Sequence, residues 1–176
     1  MPDWTIPQII IGLVALQRLA ELALARRNTE RLLAAGAEEH APGHYPVMVL
    51  IHAGWLVALI LLAGESVSWP LIAVFCVLQA GRVWVIATLG RFWTTRIISL
   101  PNAPVVRKGP FRLVRHPNYL VVAGEIIVLP LAFNLPWVAV VFGLANFAIL
   151  AWRIRAEDAV LANRREKTDE SAGAPD

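Results

Sequence analysis

Five ionisable side chains fall within one short stretch between two apolar regions. They are Lys108, Arg112, Arg115, His116 and Tyr119. A glycine and two prolines in the same stretch interrupt any helix, and Pro117 suits the first turn of a helix that continues through Tyr119. Irregular polar backbone beside a membrane is tolerated only in water or against a protein cavity. The stretch therefore predicts a polar mouth at the end of a membrane helix.

A second polar group follows the last apolar segment of the chain. Its members are Arg153, Arg155, Glu157 and Asp158. Arg153 and Glu157 are four residues apart and share one helical face. A surface ion pair worth roughly a few tenths of a kcal/mol would explain them equally well. The two polar groups end adjacent helices of one predicted hairpin, however, so they predict a polar pocket that faces the cytoplasm beside lipid.

Several ionisable residues lie inside the apolar segments themselves. They are Arg18, Glu21, His52, Arg82 and Glu125. A charge at membrane depth is costly unless it is paired or contacts a ligand. Instead of pairing or contacting a ligand, Arg82 could extend its side chain to the membrane interface. Arg18 and Glu21 are spaced to pair with each other as a structural pair near the interface, and His52 is either a packing residue or a pocket residue.

The composition predicts a single membrane domain. The chain has 176 residues, of which 57% are hydrophobic and 16% are charged, and this is more apolar than a soluble domain of that length. The net charge of +3 does not indicate nucleic-acid binding, because the basic residues cluster at the ends of apolar runs, as topology signals do.

Five apolar segments predict an all-α, multi-pass membrane protein with about five transmembrane helices. The segments are residues 4–25, 46–63, 69–89, 119–133 and 137–152. The first could be a cleaved signal peptide, but the chain begins Met-Pro-Asp without a basic n-region, which favours a retained span. The fourth is short for a bilayer core of about 30 Å unless the motif before it joins the helix. The last two form a C-terminal hairpin.

Basic loops predict the orientation. Residues 26–45, 90–118 and the tail carry most of the Lys and Arg residues and are assigned to the cytoplasm. This gives an outside N-terminus and a cytoplasmic C-terminus in the cell (inner) membrane. We divide the chain into a two-span region (1–65), a core (66–161) and a polar cytoplasmic tail (162–176). The composition of residues 167–176 predicts disorder.

Some site types have no support in the sequence. No dinucleotide-binding or P-loop glycine motif occurs. Cys76 is the only cysteine and lacks the companions of a metal site. His40 and His44 are separated by Pro42 and Gly43, which interrupt the helix that would place both on one face. We predict no metal.

Two stretches resemble the isoprenylcysteine carboxyl methyltransferase family, whose members are small membrane enzymes that use S-adenosylmethionine. They are residues 109–119, GPFRLVRHPNY, and, after the hairpin, residues 153–161, RIRAEDAVL. The resemblance covers roughly residues 80–161. Residues 89–97, LGRFWTTRI, further resemble a bacterial branch that is linked to methylation of alkylpyrones.

The resemblance implies a role for each matching residue. His116, Pro117, Tyr119, Arg153 and Glu157 would bind S-adenosylmethionine. Arg82 and Glu157 would be catalytic, with Arg82 holding an anionic oxygen of the acceptor. Methyl transfer from a sulfonium is an in-line displacement, so an acceptor that is already ionised needs alignment more than a base, and an arginine can orient it.

The expected reaction is O-methylation of a carboxylate or acidic enol on a lipophilic substrate that enters from the bilayer. The substrate would be prenylcysteine-like or alkylpyrone-like, with membrane lipid as the other partner. Three alternatives stay open: a phospholipid N-methyltransferase, for which Glu125 or Glu157 could serve as base, a membrane reductase with a related C-terminal architecture, and a non-catalytic membrane scaffold.

Overall fold

The part of the chain that the structure describes forms a bundle of five α-helices, and the prediction of an all-α, multi-pass membrane protein is confirmed. A computed structural model describes residues 4–101, 106 and 108–172, with side chains as far as Glu157. The helices are α1 (Ile6–Ala34), α2 (His44–Leu62), α3 (Trp69–Leu89), α4 (Pro117–Ala132) and α5 (Pro136–Ala172). The C-terminal hairpin is α4 and α5.

Four helices are long and apolar enough to cross a membrane. These spans are Ile6–Ala34, His44–Leu62, Trp69–Phe92 and Pro136–Glu157. The fifth helix, α4, has 16 residues, and at about 1.5 Å per residue it is shorter than a bilayer core of about 30 Å. It packs between α3 and α5, so neighbouring helices cover much of its surface.

Helix α1 continues beyond the predicted span, and the first part of the predicted loop 26–45 is therefore helical. A Thr5–Gln8 capping box starts the helix. After Gly12 no glycine or proline occurs before Gly36, which has a positive φ of 87°. Arg26 and Glu30 pair on its exposed face at 3.0 Å. The polar composition after residue 25 marked the end of the apolar run but not the end of the helix.

Helix α5 also extends further than predicted. It runs to Ala172, because no proline follows Pro136 within it to end the helix. The expectation of disorder from residue 167 is therefore wrong for residues 167–172. Residues 173–176, and the Met-Pro-Asp terminus used in the signal-peptide argument, lie outside the described residues.

A small antiparallel sheet joins the two predicted loops. Strand β1 (Glu38–His40) pairs with β2 (Ile97–Ser99), with Glu38 opposite Ser99. Beside the sheet, the Arg96 guanidinium lies 2.8 Å from Glu39 and 4.6 Å from the centre of the Tyr45 ring. The sheet therefore fixes the chain after α3 against the segment that follows α1.

The core lies where all five helices converge. Trp55, Leu59, Ile126 and Leu129 are among its almost fully buried side chains. Helices α3 and α4 approach closely at Gly124, where an added Cβ would lie 3.0 Å from Leu78, as expected for small residues at membrane helix contacts. The opposite helix faces expose leucine and valine, as expected for surfaces that face lipid.

Candidate functional site

The polar mouth is held against the end of α3. His116 precedes α4 and Pro117 begins it, as predicted. Before it, residues Gly109–Arg112 form a short 3-10 turn. Gly109 has a φ of +57°, and a Cβ there would lie 2.7 Å from the Thr88 hydroxyl, so this position needs glycine both for its backbone conformation and for close approach to α3.

The predicted cofactor-binding residues meet in one cluster. The Tyr119 hydroxyl donates a hydrogen bond to Glu157 Oε1, and Arg153 Nε lies 3.3 Å from the same oxygen. His116 Nδ1 lies 3.6 Å from Glu157 Oε2, and its ring stacks on Tyr119 with centroids 5.1 Å apart. The predicted convergence of the α4 mouth with the end of the last span is confirmed. The roles of these residues stay predictions.

A polar cavity of about 280 Å³ opens beside this cluster. Its walls come from the turn after α3, strand β2 and the starts and ends of the hairpin helices: Leu89, Phe92, Trp93, Thr94, Arg96, Ile97, Ile98, Ser99, Phe111, Arg115, His116, Pro117, Asn118, Tyr119, Arg153 and Glu157. Among the described residues, Trp93 Nε1, His116 Nε2 and Asn118 Oδ1 are buried without a hydrogen-bond partner. Such atoms are costly unless a ligand or water satisfies them.

A second, mainly apolar cavity of about 410 Å³ lies deeper in the bundle, with walls from all five helices. It shares Trp93, Thr94, Asn118, Tyr119 and Arg153 with the polar cavity. The two cavities therefore meet at one wall, with polar groups on one side and an apolar space within the membrane-spanning helices on the other.

Arg82 lies on the wall of the apolar cavity, but its charge is already engaged. Its Nε and Nη2 donate to Glu21 at 2.6 and 2.5 Å, and its Nη1 lies 3.2 Å from Glu125. Arg82 is 7% exposed, so it does not snorkel to the interface. Its predicted contact with an acceptor oxygen is not tested by this arrangement.

Arg18 completes a buried network of four charges. Its guanidinium lies 2.9 Å from Glu21 and 2.7 Å from Glu125. Gln17 and Gln79 hydrogen-bond to each other and to the two carboxylates. The predicted Arg18–Glu21 pair is thus present, but it belongs to this network rather than to a separate pair near the interface. The sequence did contain a signal for this network: the apolar segments that form it hold two arginines, Arg18 and Arg82, and two acidic residues, Glu21 and Glu125.

The other candidates lie elsewhere. His52 donates from Nδ1 to the Met48 carbonyl at 2.8 Å and lines the apolar cavity. His44 is buried beside the Ala41 carbonyl and Trp152. Arg155 is exposed, and the side chain of Asp158 lies outside the described residues. Within the described part of the chain, no group of three or more His, Cys, Asp or Glu residues could hold a metal ion.

Sequence reasoning missed Asn28, which positions the wall shared by the two cavities. Its buried amide donates to the carbonyls of Gly90 and Trp93 at 3.0 and 2.9 Å. We expect Asn28→Ala to lower the free energy of unfolding by about 1–3 kcal/mol, because two carbonyls lose their donor. Thermal unfolding in detergent measures this, with exposed Arg27→Ala as the control. Equal unfolding temperatures for the two variants would contradict the role.

The fold and the site define a polytopic helical membrane protein with a polar cavity at one end of its helices and an apolar cavity beside it. The chain belongs to the isoprenylcysteine carboxyl methyltransferase (ICMT) family, whose model matches residues 71–163. The match covers α3, α4 and the apolar part of α5. It does not include α1, which carries Arg18 and Glu21.

Two bacterial relatives align along most of the chain. A Bacillus subtilis protein described as "Uncharacterized protein YpbQ" is 36% identical over 159 residues, which are 87% of this chain and 95% of the relative. An uncharacterized Haemophilus influenzae protein is 28% identical over 153 residues, covering 83% and 89%. No solved structure gives a significant match.

Proposed function

We propose that this protein transfers a methyl group from S-adenosylmethionine to an oxygen of a lipophilic acceptor, a carboxylate or an acidic hydroxyl of the enol type. The observation that carries the proposal is the shared wall of Trp93, Thr94, Asn118, Tyr119 and Arg153 between a polar and an apolar cavity. A reaction between a polar donor and a membrane-soluble acceptor requires adjoining sites of these two kinds. Membership of the ICMT family supports the same reaction.

The residues of the polar cavity fit S-adenosylmethionine. The cofactor supplies an electrophilic methyl group on a sulfonium. Glu157 offers carboxylate oxygens to hydroxyl or ammonium groups, and the unpartnered atoms of Trp93, His116 and Asn118 offer further hydrogen-bonding positions.

The apolar cavity fits the acceptor. Its walls include Leu19, Leu22, Leu56, Val122 and Ile149, which would pack against a hydrocarbon tail and exclude water. Alignment of the acceptor oxygen with the methyl group is the main requirement for an in-line displacement. Two cavities that share one wall can supply this alignment.

We also propose that the polar cavity faces the cytoplasm of a cell membrane. The basic loops and the tail support an outside N-terminus and a cytoplasmic C-terminus. The ends of α1, α3 and α5 and the starts of α2 and α4 then lie on the cytoplasmic side. Arg153 Nη1, 3.1 Å from Met48 Sδ near the start of α2, supports this common end.

The first test is calorimetric titration of the detergent-purified protein with S-adenosylmethionine, and with S-adenosylhomocysteine as a second ligand. Saturable binding is expected. Glu157→Gln should weaken it by about 10- to 100-fold, because a hydrogen bond to a charged group is worth about 1.5–3 kcal/mol.

Glu65→Gln is the matched control, because Glu65 is exposed in the turn between α2 and α3 and far along the chain from the cluster. Its affinity should equal that of the wild type. Unchanged affinity in Glu157→Gln would remove Glu157 from the cofactor site. The absence of binding by folded wild-type protein would overturn the proposed function.

A further inference from the structure

Asn146 places a buried amide without a partner on the wall of the apolar cavity. It lines the cavity from α5 and is 0% exposed, and neither its Nδ2 nor its Oδ1 has a hydrogen-bond partner among the described residues. Asparagine in a membrane-spanning helix usually hydrogen-bonds to a neighbouring helix. A buried amide that makes no such bond is costly unless a ligand or water completes it.

His52 presents a hydrogen-bond acceptor to the same cavity from α2. Its Nδ1 lies 2.8 Å from the Met48 carbonyl oxygen, and a carbonyl only accepts, so Nδ1 carries the proton. In the neutral imidazole the other nitrogen, Nε2, then holds a lone pair. The bond to the preceding turn fixes both the orientation of the ring and its tautomer.

The two polar side chains lie at the same level of the bundle, where α2 and α5 pack against each other. Toward one end of this packing, Arg153 Nη1 lies 3.1 Å from Met48 Sδ. Toward the other end, a Cβ added at Gly54 would lie 3.4 Å from the Phe142 ring. Each of the two polar side chains lies between these two contacts on its own helix, so the amide and the imidazole face one region of the cavity.

The charged groups on the cavity wall are engaged elsewhere. The arginines and acids of the buried network bond to one another, and Arg153 is paired with Glu157. Among the described residues of the four membrane-spanning helices that line the cavity, Asn146 and His52 are the only uncharged polar side chains. They therefore suit an uncharged group on a ligand, whatever charge its reacting end carries.

We infer that Asn146 and His52 form a subsite for an uncharged group of the lipophilic acceptor that both donates and accepts hydrogen bonds, a hydroxyl or an amide. Asn146 Nδ2 would donate to the oxygen of this group, and its O–H or N–H would donate to His52 Nε2. Asn146 lies about two turns before Arg153 of the shared wall on α5, so the group would lie within about 10 Å of the reacting oxygen. The inference rests on the proposed methyl transfer for the identity of the ligand, and it narrows the acceptor to a lipid that is functionalised along its buried part.

The test measures lipid binding by the full-length protein in detergent, independently of methyl transfer. Tritiated hexadecanoic acid is displaced by unlabelled hexadecanoic acid and by three derivatives with one hydroxyl, on the third carbon, at mid-chain or on the last carbon. For each derivative the affinity is divided by that of the parent acid, and comparison of this ratio between variants in the same detergent cancels differences in partitioning.

Asn146→Leu should lower the ratio at least about 10-fold for the third-carbon or the mid-chain derivative, the effect of losing one hydrogen bond to a buried group. His52→Leu should lower the same ratio. The ratio for the last-carbon derivative should not change, because that hydroxyl lies too far from the carboxylate to reach the subsite. Phe147→Leu is the matched control: Phe147 is the next residue on α5, is 54% exposed and does not line the cavity, so it should keep all three ratios.

A second measurement separates a ligand subsite from a structural role. Asn146→Leu should raise the unfolding temperature of the ligand-free protein, because an apolar side chain of similar size replaces an amide without a partner. A structural hydrogen bond made by Asn146 would instead be lost, and the unfolding temperature would fall.

The outcomes distinguish this inference from the proposed function. Ratios that are equal in wild-type protein and both leucine variants, or a lower unfolding temperature of Asn146→Leu, would overturn the inference. Wild-type protein that binds S-adenosylmethionine but shows no ratio that depends on Asn146 would leave the proposed function standing alone. Wild-type protein that does not bind S-adenosylmethionine but keeps the Asn146-dependent ratio would overturn the proposed function and leave a lipid-binding subsite. Loss of both would overturn both.

Discussion

Replacing Arg82 with leucine is expected to lower the free energy of unfolding by about 3–5 kcal/mol, the cost of removing one partner from a buried ion pair. Arg82 contacts Glu21 and Glu125, whose side chains are 9% and 2% exposed. Without it, two buried carboxylates would share Arg18 alone. Thermal unfolding of the purified protein in detergent measures the loss, and it should appear with or without S-adenosylmethionine.

A charge-matched double variant separates this electrostatic effect from lost packing. Arg82→Leu/Glu125→Gln leaves Arg18 and Glu21 as a neutral pair, so it should recover a large part of the stability that Arg82→Leu loses. Arg26→Leu breaks a pair whose side chains are 83% and 64% exposed and should cost less than about 1 kcal/mol. An unfolding temperature for Arg82→Leu equal to that of Arg26→Leu would show that the network does not stabilise the fold.

The same network shows what single-sequence reasoning can and cannot reach. Each charged residue of the network can be recognised in the sequence because it interrupts an apolar segment. The spacing of Arg18 and Glu21 also predicts that these two residues pair. The contacts between Arg82 and Glu21, and between Arg18 and Glu125, join residues 61 and 107 positions apart. Helical periodicity does not specify which faces of α1, α3 and α4 meet, so these contacts required the tertiary structure.

The helices themselves could be predicted because apolar length and proline position determine them. Pro117 begins α4 as expected, and four of the five predicted segments are long enough in the structure to cross a membrane. The extension of α1 to Ala34 was missed because helix formation continues into polar sequence until a residue such as Gly36 ends it. Strands β1 and β2 were missed because three residues are too few to show a period.

The sequence predicted which residues of the candidate site lie close to one another. In the hairpin, the start of α4 lies beside the end of the last span. His116 and Tyr119 therefore lie next to Arg153 and Glu157, as the hairpin implied. The apolar cavity could not be predicted, because its walls come from all five helices and the segment that follows α3. Because this cavity lies beside Tyr119 and Arg153, a lipophilic acceptor bound in it would lie next to the candidate site.

Tyr119 is expected to show the largest effect on activity, because it belongs to both cavities and contacts three of the cluster residues. Its hydroxyl donates to Glu157, its ring stacks on His116, and Arg153 Cζ lies 5.5 Å from the ring centre. Tyr119→Phe keeps the ring and loses only the hydrogen bond. It should weaken S-adenosylmethionine binding by up to about 10- to 100-fold, because Glu157 loses the donor that holds its carboxylate in place and a hydrogen bond to a charged group contributes about 1.5–3 kcal/mol.

Tyr119→Leu should be more damaging, because it also removes the aromatic wall between the two cavities. Methyl transfer to a lipophilic probe should fall by at least about 100-fold, as expected when the alignment of reacting groups is lost. The chain has one other tyrosine, Tyr45, whose ring lies against Arg96, so Tyr45→Phe is the matched control and should keep wild-type affinity and turnover. If Tyr119→Phe and Tyr119→Leu reduced turnover equally, the hydroxyl rather than the wall would be the essential feature. If neither changed cofactor affinity or turnover, the shared wall would not be the place where methyl transfer occurs.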